Sequence, residues 1–412
     1  MSLRVTSVVI DDDRPLLELS PHPPSTVAWV RKGDGLVGWG IAARIEPGAG
    51  TDRFERADAG LRELAAATDI EDAVELPGSG LVGLGSFTFD ADAPGSALIV
   101  PRVLVGRRDG TTWLTRVERA GAEPAPGPRT TPPTAPDRDR PRFAGSSNPD
   151  LRWLEAVADV AARIRAGELD KVVLARDHAV WSREPFDPID LARRLAGRFP
   201  RCHTFIADGL VGATPELLLA RTGDRVVSQV LAGTTGRSAD EVEDAALGAA
   251  LLASAKDQHE HVLAARSVEQ VLAPRCRTLD HDAEPRLLRL DNVQHLATRF
   301  EGTLATPATS LELVGALHPT AAVGGTPRAD ALAVIRACEG MDRGRYAAPV
   351  GWTDPDGDGE WGIALRCAEL SGARARLFAG VGIVGASLPE DELEETRLKL
   401  RAMQAALGAE PR

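Results

Sequence analysis

Apolar and polar positions alternate in short runs along the first part of the chain. "STVAWV" (25–30), "GLVGLGSFTF" (80–89), "ALIVPRVLVG" (97–106) and "TWLTRV" (112–117) are separated by Gly, Pro and Asp turns, a pattern that predicts β-strands. The stretch 120–143, "AGAEPAPGPRTTPPTAPDRDRPRF", then interrupts it. Its prolines and charges continue neither a helix nor a central strand, which predicts a linker. Beyond it the period changes. Leu151, Leu154, Val157, Val160 and Ile164 recur at helical spacing up to Gly167, so a helix is expected there. "KVVLARDHAVW" (171–181), "CHTFIAD" (202–208), "LVGATPELLLA" (210–220) and "DRVVSQVLAG" (224–233) read as strands, followed by one long helical run from Asp240 to Leu272. "GEWGIALRCAEL" (359–370) and "RARLFAGVGIV" (374–384) are two more strands before a closing helix. Strands joined by turns, with helices inserted between groups of them, predict a largely antiparallel α+β fold rather than βαβ alternation. No internal repeat is visible.

Composition narrows the partners. The 412 residues carry a net charge of -12 with no compensating basic run, which argues against nucleic acid or an anionic membrane and favours a small ligand. Cys202, Cys276, Cys338 and Cys367 lie far apart with no C-x-x-C pair, so neither a zinc knuckle nor a disulfide framework is expected. "MSLRVTSVVIDDDR" has no apolar signal region, and no stretch approaches the ~18 apolar residues that cross a bilayer. The expected location is cytoplasmic.

Two motifs invite chemistry. "GVGIVG" (380–385) satisfies G-x-G-x-x-G after a strand and before a helix. A dinucleotide fold needs an acidic ribose ligand about 20 residues further on and several more βα units, and too little chain follows Gly385. The glycines fit helix-on-sheet packing or the close approach of a ligand carboxylate to backbone N–H groups. The other motif is a pair of acidic helices. In "PEDELEETRLKL" (389–400), Ser387 is expected to cap the helix with Glu390 completing a capping box. Glu392, Glu395 and Lys399 share one face. In "SAKDQHEHVLAARSVEQVL", Asp257, Glu260 and His261 share another. Each face suits a solvated charged surface with i,i+4 pairs. Closed on each other, the four carboxylates suit a hard cation, Mg²⁺ with retained waters. The H-E-x-x-H spacing of a zincin is absent.

Nine blocks then agree in order with one family. "KVVLAR" (171–176), "ATPELLL" (213–219), "LAGT" (231–234), "KDQHEH" (256–261), "VQHL" (293–296), "LHPTAAVGGTPR" (317–328), "GRYAAPVGW" (344–352), "ALRCAEL" (364–370) and "AGVGIVGASLPEDELEETRLKL" (379–400) resemble the chorismate-utilising enzymes. These comprise isochorismate synthases, salicylate synthases, anthranilate synthase component I and aminodeoxychorismate synthase. The match runs from about 145 to 405. The resemblance implies two large, mainly antiparallel β-sheets packed as a sandwich with helices outside, and a Mg²⁺-dependent site between them. Residues 1–119 would then form a β-rich segment of the same sandwich, 120–143 a surface linker, and 144–408 the chorismate-binding catalytic region.

The resemblance also implies roles. Lys171 matches the lysine of hydrolytic members, which activates water, where ammonia-using relatives carry glutamine. The role asks for an amine free to take a proton, which burial beside Val173 and Ala175 on one strand face favours; without the block, a strand-end lysine snorkelling into solvent is the plainer reading. Ala232 stands where aminodeoxychorismate synthases have a nucleophilic lysine, which disfavours a covalent amine route. Ala322 stands where salicylate synthases tend to carry threonine, so isochorismate formation without pyruvate elimination is implied. Glu216 matches the general acid that protonates the departing C4 hydroxyl, and its flank Leu217–Leu219 favours a raised pKa by desolvation; a turn cap after Pro215 is the alternative.

By the same resemblance, Glu260 and Glu395 hold Mg²⁺ with Asp257 and Glu392 close by. Arg366 and Tyr346 take the enolpyruvyl carboxylate with amides near Gly380 and Gly382. Lys399 sits beside substrate or metal, while Gly233, Thr234 and His295 line the ring pocket. Glu392 and Glu395 are expected to face inward, Glu390 and Glu394 outward. Val230 and Thr235 depart from the proline and arginine of many relatives, which bears on specificity. The implied activity is isochorismate synthase, with salicylate synthase, anthranilate synthase component I and an inactive chorismate-binding relative as alternatives. The implied protein is a monomer acting on chorismate.

Overall fold

The computed structural model describes residues 3–21, 25–119, 121–130 and 140–409. Two sheets dominate, one of 13 strands and one of 10. Among the described residues the pairing is antiparallel except between Leu3–Ile10 and Thr68–Asp72. Strands from before the Pro-rich stretch enter both sheets. Val27–Arg31 pairs with His203–Ala207 in the larger one, and Gly83–Ser86 pairs with Pro349–Thr353 in the smaller. Of the Pro-rich stretch, residues 120 and 131–139 lie outside the described residues, and its last two residues already belong to the strand Arg142–Gly145.

The sheets face each other across one apolar layer. Trp29, Trp113 and Phe205 from the larger sheet meet Phe300, Trp352 and Trp361 from the smaller in a single buried cluster, and removal of this surface from water is the main force closing the sandwich. A second cluster lies on the outer face of the larger sheet, under the helices Pro188–Arg198 and Pro389–Leu407. Covered on both faces, the strand Lys171–Trp181 is buried almost without alternation.

Three local expectations are corrected. The helix Asp150–Arg165 buries Trp153, Val157, Val160 and Ala161, while Leu151 is exposed; the large indole pulls the buried stripe round by part of a turn. The helical run from Asp240 breaks at Ser254, whose extended backbone (ψ 112) ends Glu241–Ala253. Its hydroxyl accepts from Asp257 N at 3.2 Å and starts Ala255–Leu272. The closing helix has no side-chain cap; Pro389 opens it, and Val384 N donates to the Ser387 hydroxyl at 3.1 Å.

Candidate active site

The chain crosses between the sheets twice at one place. It leaves the larger sheet after Leu210–Thr214 and enters the smaller at Leu217–Thr222, with Glu216 at the crossing. It returns from Gly359–Ile363 to Cys367–Ser371, with Arg366 at that crossing. The crossings bind each other: Ala213 N donates to Arg366 O at 3.2 Å, and Ile363 N donates to Glu216 O at 3.3 Å. Arg366 holds a left-handed backbone (φ 48), a strained conformation for a long side chain and a common mark of functional positions.

A cavity opens beside these crossings. Of the residues singled out in the sequence, Glu216, Gly233, Thr234, Glu260, His295, Ala322, Tyr346, Arg366, Gly380, Gly382, Glu395 and Lys399 line it. Its apolar wall comes from Val173, Leu231, Val323, Leu365 and Phe378. Lys171 stands directly behind that wall. Its side chain is wholly buried, its Nζ lies 3.0 Å from Glu260 Oε1, and a Cβ at Gly382 would come within 2.8 Å of its Cε. That added carbon would also strike the Glu260 carboxylate. Glycine is therefore what lets the carboxylate from helix Ala255–Leu272 cross the strand Arg374–Ile383 to reach the lysine.

The remaining geometry follows from a bulge. The register of Arg225–Gly236 against Val293–Leu304 shifts between Ala232 and Thr234, with Gly233 at φ 77. Thr234 is thereby set opposite His295. Arg366 Nη2 lies 3.0 Å from His295 Nε2. Arginine can only donate, so Nε2 accepts and the ring proton sits on Nδ1, facing Thr234 Oγ1 at 3.1 Å and Gly233 O at 3.3 Å. Burial, then Arg366 and Lys399, push the His295 pKa well down, keeping the ring neutral. His261, on the acidic face of its helix, is turned to Thr298 Oγ1 (2.8 Å) and Ala232 O (3.2 Å), and burial lowers its pKa to about 4.

Glu216 is buried, and desolvation pushes its pKa up to about 8 against the opposing pull of the Leu231 amide, Lys171, Lys399 and Arg366. The carboxyl is therefore protonated at neutral pH. Burial likewise raises the Tyr346 phenol, which stays a neutral donor. Its ring stacks on Phe378 with centroids 5.0 Å apart, and its hydroxyl sits over Gly380.

The four carboxylates are gathered but not equivalent. Glu260 and Glu395 face the cavity. Glu395 lies 2.7 Å from Lys399, whose Nζ also donates to Gly380 O at 2.9 Å. Burial works against ionisation of Glu395, yet Lys399, Lys256 and the Thr234 hydroxyl hold its pKa below the usual value. Asp257 is taken by the Ser254 hydroxyl, and buried Glu392 by Lys256 at 2.5 Å. Neither is brought to the cavity wall, although Glu392 does point inward, and Glu390 and Glu394 are exposed. Among the described residues, no three His, Cys, Asp or Glu side chains are grouped closely enough to hold a metal by themselves. Mg²⁺ is bound through one or two carboxylates plus waters and substrate oxygens, and Glu260 and Glu395 meet that requirement with hard oxygen donors. Lys256 was not visible as a site residue in the sequence; its only signal was its place next to Asp257.

Residues 128–408 match the family described as chorismate binding enzyme. The chain therefore belongs to that family of chorismate-binding enzymes. It is 45% identical to isochorismate synthase DhbC of Bacillus subtilis over 261 residues, 60% of this chain and 66% of that one. With isochorismate synthase MenF of Bacillus subtilis it shares 35% identity over 325 residues, 78% of this chain and 68% of that one. The solved structure of MenF, the menaquinone-specific isochorismate synthase from Escherichia coli, superposes with a TM-score of 0.81 at 26% identity, covering 98% of this chain and 95% of that one. Among the described residues no helix is long and apolar enough to cross a membrane.

Proposed function

We propose that this chain is a Mg²⁺-dependent isochorismate synthase, converting chorismate to isochorismate by addition of water at C2 and loss of the C4 hydroxyl. The observation that carries this reading is a cavity lined by a carboxyl that is protonated at neutral pH, Glu216, and by Glu260, whose carboxylate reaches a buried amine behind the wall, Lys171. The names of the similar proteins favour the same activity.

In this mechanism Lys171 takes a proton from the attacking water while Glu216 gives one to the departing C4 oxygen. The C2–O bond forms, both ring double bonds shift (C1=C2 to C1=C6 and C5=C6 to C4=C5) and the C4–O bond breaks, so the step balances without an oxidant or reductant. Arg366 offers a two-pronged donor for the enolpyruvyl carboxylate. Tyr346 adds its hydroxyl, and the amides near Gly380 and Gly382 lie along the same wall. His295 is held in one tautomer by Arg366 and fixes the ring side of the pocket with Gly233 and Thr234. When bound through Glu260 and Glu395, Mg²⁺ supplies positive charge for the ring carboxylate, with Lys399 beside it and Asp257 and Glu392 in the surrounding shell. Ala322 leaves that wall without a hydroxyl, which supports release of isochorismate rather than pyruvate elimination. The reading includes a monomer acting on chorismate. Four unpaired cysteines support a reducing, cytoplasmic setting. Residues 144–408 would carry the chemistry, with 1–119 completing the sandwich.

Chromatography of an incubation with chorismate and Mg²⁺ tests this. Isochorismate should form without pyruvate and without any response to ammonium; salicylate, anthranilate or no product would reject it.

A further inference from the structure

We propose that Glu339 and Arg343 act as a positioning pair that sets the Lys171 strand against two other walls of the cavity; this rests on the isochorismate synthase reading. The edge of Lys171–Trp181 opposite Arg374–Ile383 is incompletely paired. Gly325–Thr326 covers it at Lys171 and Val172, and Arg142–Gly145 covers it from Ala179 onwards. Val173 N donates to Gly324 O at 2.8 Å, but Val173 O and Ala175 N are met by two side chains in place of a strand. Arg343 Nη2 donates to Val173 O at 2.8 Å, and Ala175 N donates to Glu339 Oε1 at 2.7 Å.

The same two side chains reach further. Arg343 Nη1 donates to Val323 O at 2.8 Å, beside Ala322 in the cavity wall. Arg343 O accepts from Tyr346 N at 3.0 Å, so the turn carrying Tyr346 and Ala347 starts from the same residue. The guanidinium is locked in turn: Nε donates to Glu339 Oε2 at 2.9 Å, Nη2 donates to Glu339 Oε1, and the plane lies 4.1 Å from the Phe89 ring centre. Both side chains are at most 4% exposed. A buried ion pair is weak evidence of stability in itself, because desolvation offsets most of its attraction. Here its side-chain donors and acceptors are spent on two pieces of cavity wall, the Lys171 strand and Val323, while the Arg343 backbone holds the Tyr346 turn, and arginine alone has the planar fork to span the first two. Neither residue touches the cavity's reacting side, so both work through Lys171, Val323 and Tyr346.

The test uses the full chain with Arg343→Lys, and Glu339→Gln as a milder second variant that keeps an acceptor for Ala175. Expected for Arg343→Lys is a fall in kcat of at least about tenfold with KM changed less than about threefold. Mg²⁺ affinity by calorimetry should stay within about twofold, because Glu260 and Glu395 lie on other elements. Amide exchange of the 171–176 segment should accelerate, and the slowing by chorismate expected of the wild type should be lost. A kcat within about twofold of wild type despite faster exchange overturns the proposal. So does a parallel loss of Mg²⁺ affinity, or failure of both variants to fold, since each makes the pair merely structural. A wild-type chain that binds chorismate but yields no isochorismate rejects the functional reading instead, and the exchange response to chorismate then decides the positioning claim alone.

Discussion

Glu216 and Arg366 occupy two neighbouring points at which the chain passes from one sheet to the other, and the strands flanking each point hydrogen-bond to the opposite residue's carbonyl. The proposed proton donor and the proposed carboxylate anchor are thereby fixed relative to each other by backbone hydrogen bonds. Crossing points are also where backbone leaves the pleat, so their side chains can turn into the space between sheets.

Glu216 gives the account its pH dependence. Its pKa is raised from 4.5 to about 8, so the acid is available below about pH 8 and activity should fall as pH rises through that value. The linkage has the matching sign. Between these values the folded chain holds a proton the unfolded chain has lost, so this contribution to stability is complete below 4.5 and is lost as pH rises through 8. Glu216→Gln should remove turnover by about 100-fold or more and flatten the stability slope over that range, read by denaturant melts at several pH values.

Much of this was legible in the sequence, unevenly. Most residues expected at the site line one cavity although they come from both sheets and from two helices, while Lys171, Asp257 and Glu392 stand off its wall. What the sequence could not show is which charges neutralise which. Asp257 and Glu392 lie on the expected helix faces, yet Ser254 and Lys256 claim them, because the break at Ser254 sets the phase of the second helix. Periodicity predicts the helix Asp150–Arg165 but misjudges its buried stripe, since it counts Leu151 and passes over Trp153, and it misses the earlier helix Arg53–Ala66. Glu339 and Arg343 offered only an i,i+4 pair, indistinguishable in sequence from a surface salt bridge.

Lys171→Ala should abolish turnover, by about 100-fold or more, while leaving chorismate binding largely intact. Chorismate affinity from tryptophan fluorescence, compared with kcat, separates these effects. Unchanged turnover would remove the proposed base.

Gly382→Ala tests the crossing of Glu260 over its strand. The added carbon would strike the Glu260 carboxylate and come within 2.8 Å of Lys171 Cε. Overpacking of this kind costs about 1–3 kcal/mol, visible as a lowered Tm, and activity should fall further than stability does.

Glu395→Gln should raise the Mg²⁺ concentration needed for half-maximal activity about tenfold or more, and weaken Mg²⁺ binding measured by calorimetry. An identical titration would take Glu395 out of the metal site.

The most direct test of the central claim is turnover of chorismate in ¹⁸O-labelled water, with the isochorismate read by mass spectrometry. The account predicts one solvent oxygen in each product molecule, at C2. Unlabelled isochorismate would mean that the C4 oxygen had migrated within the substrate, and would contradict the pairing of Lys171 with Glu216 as base and acid.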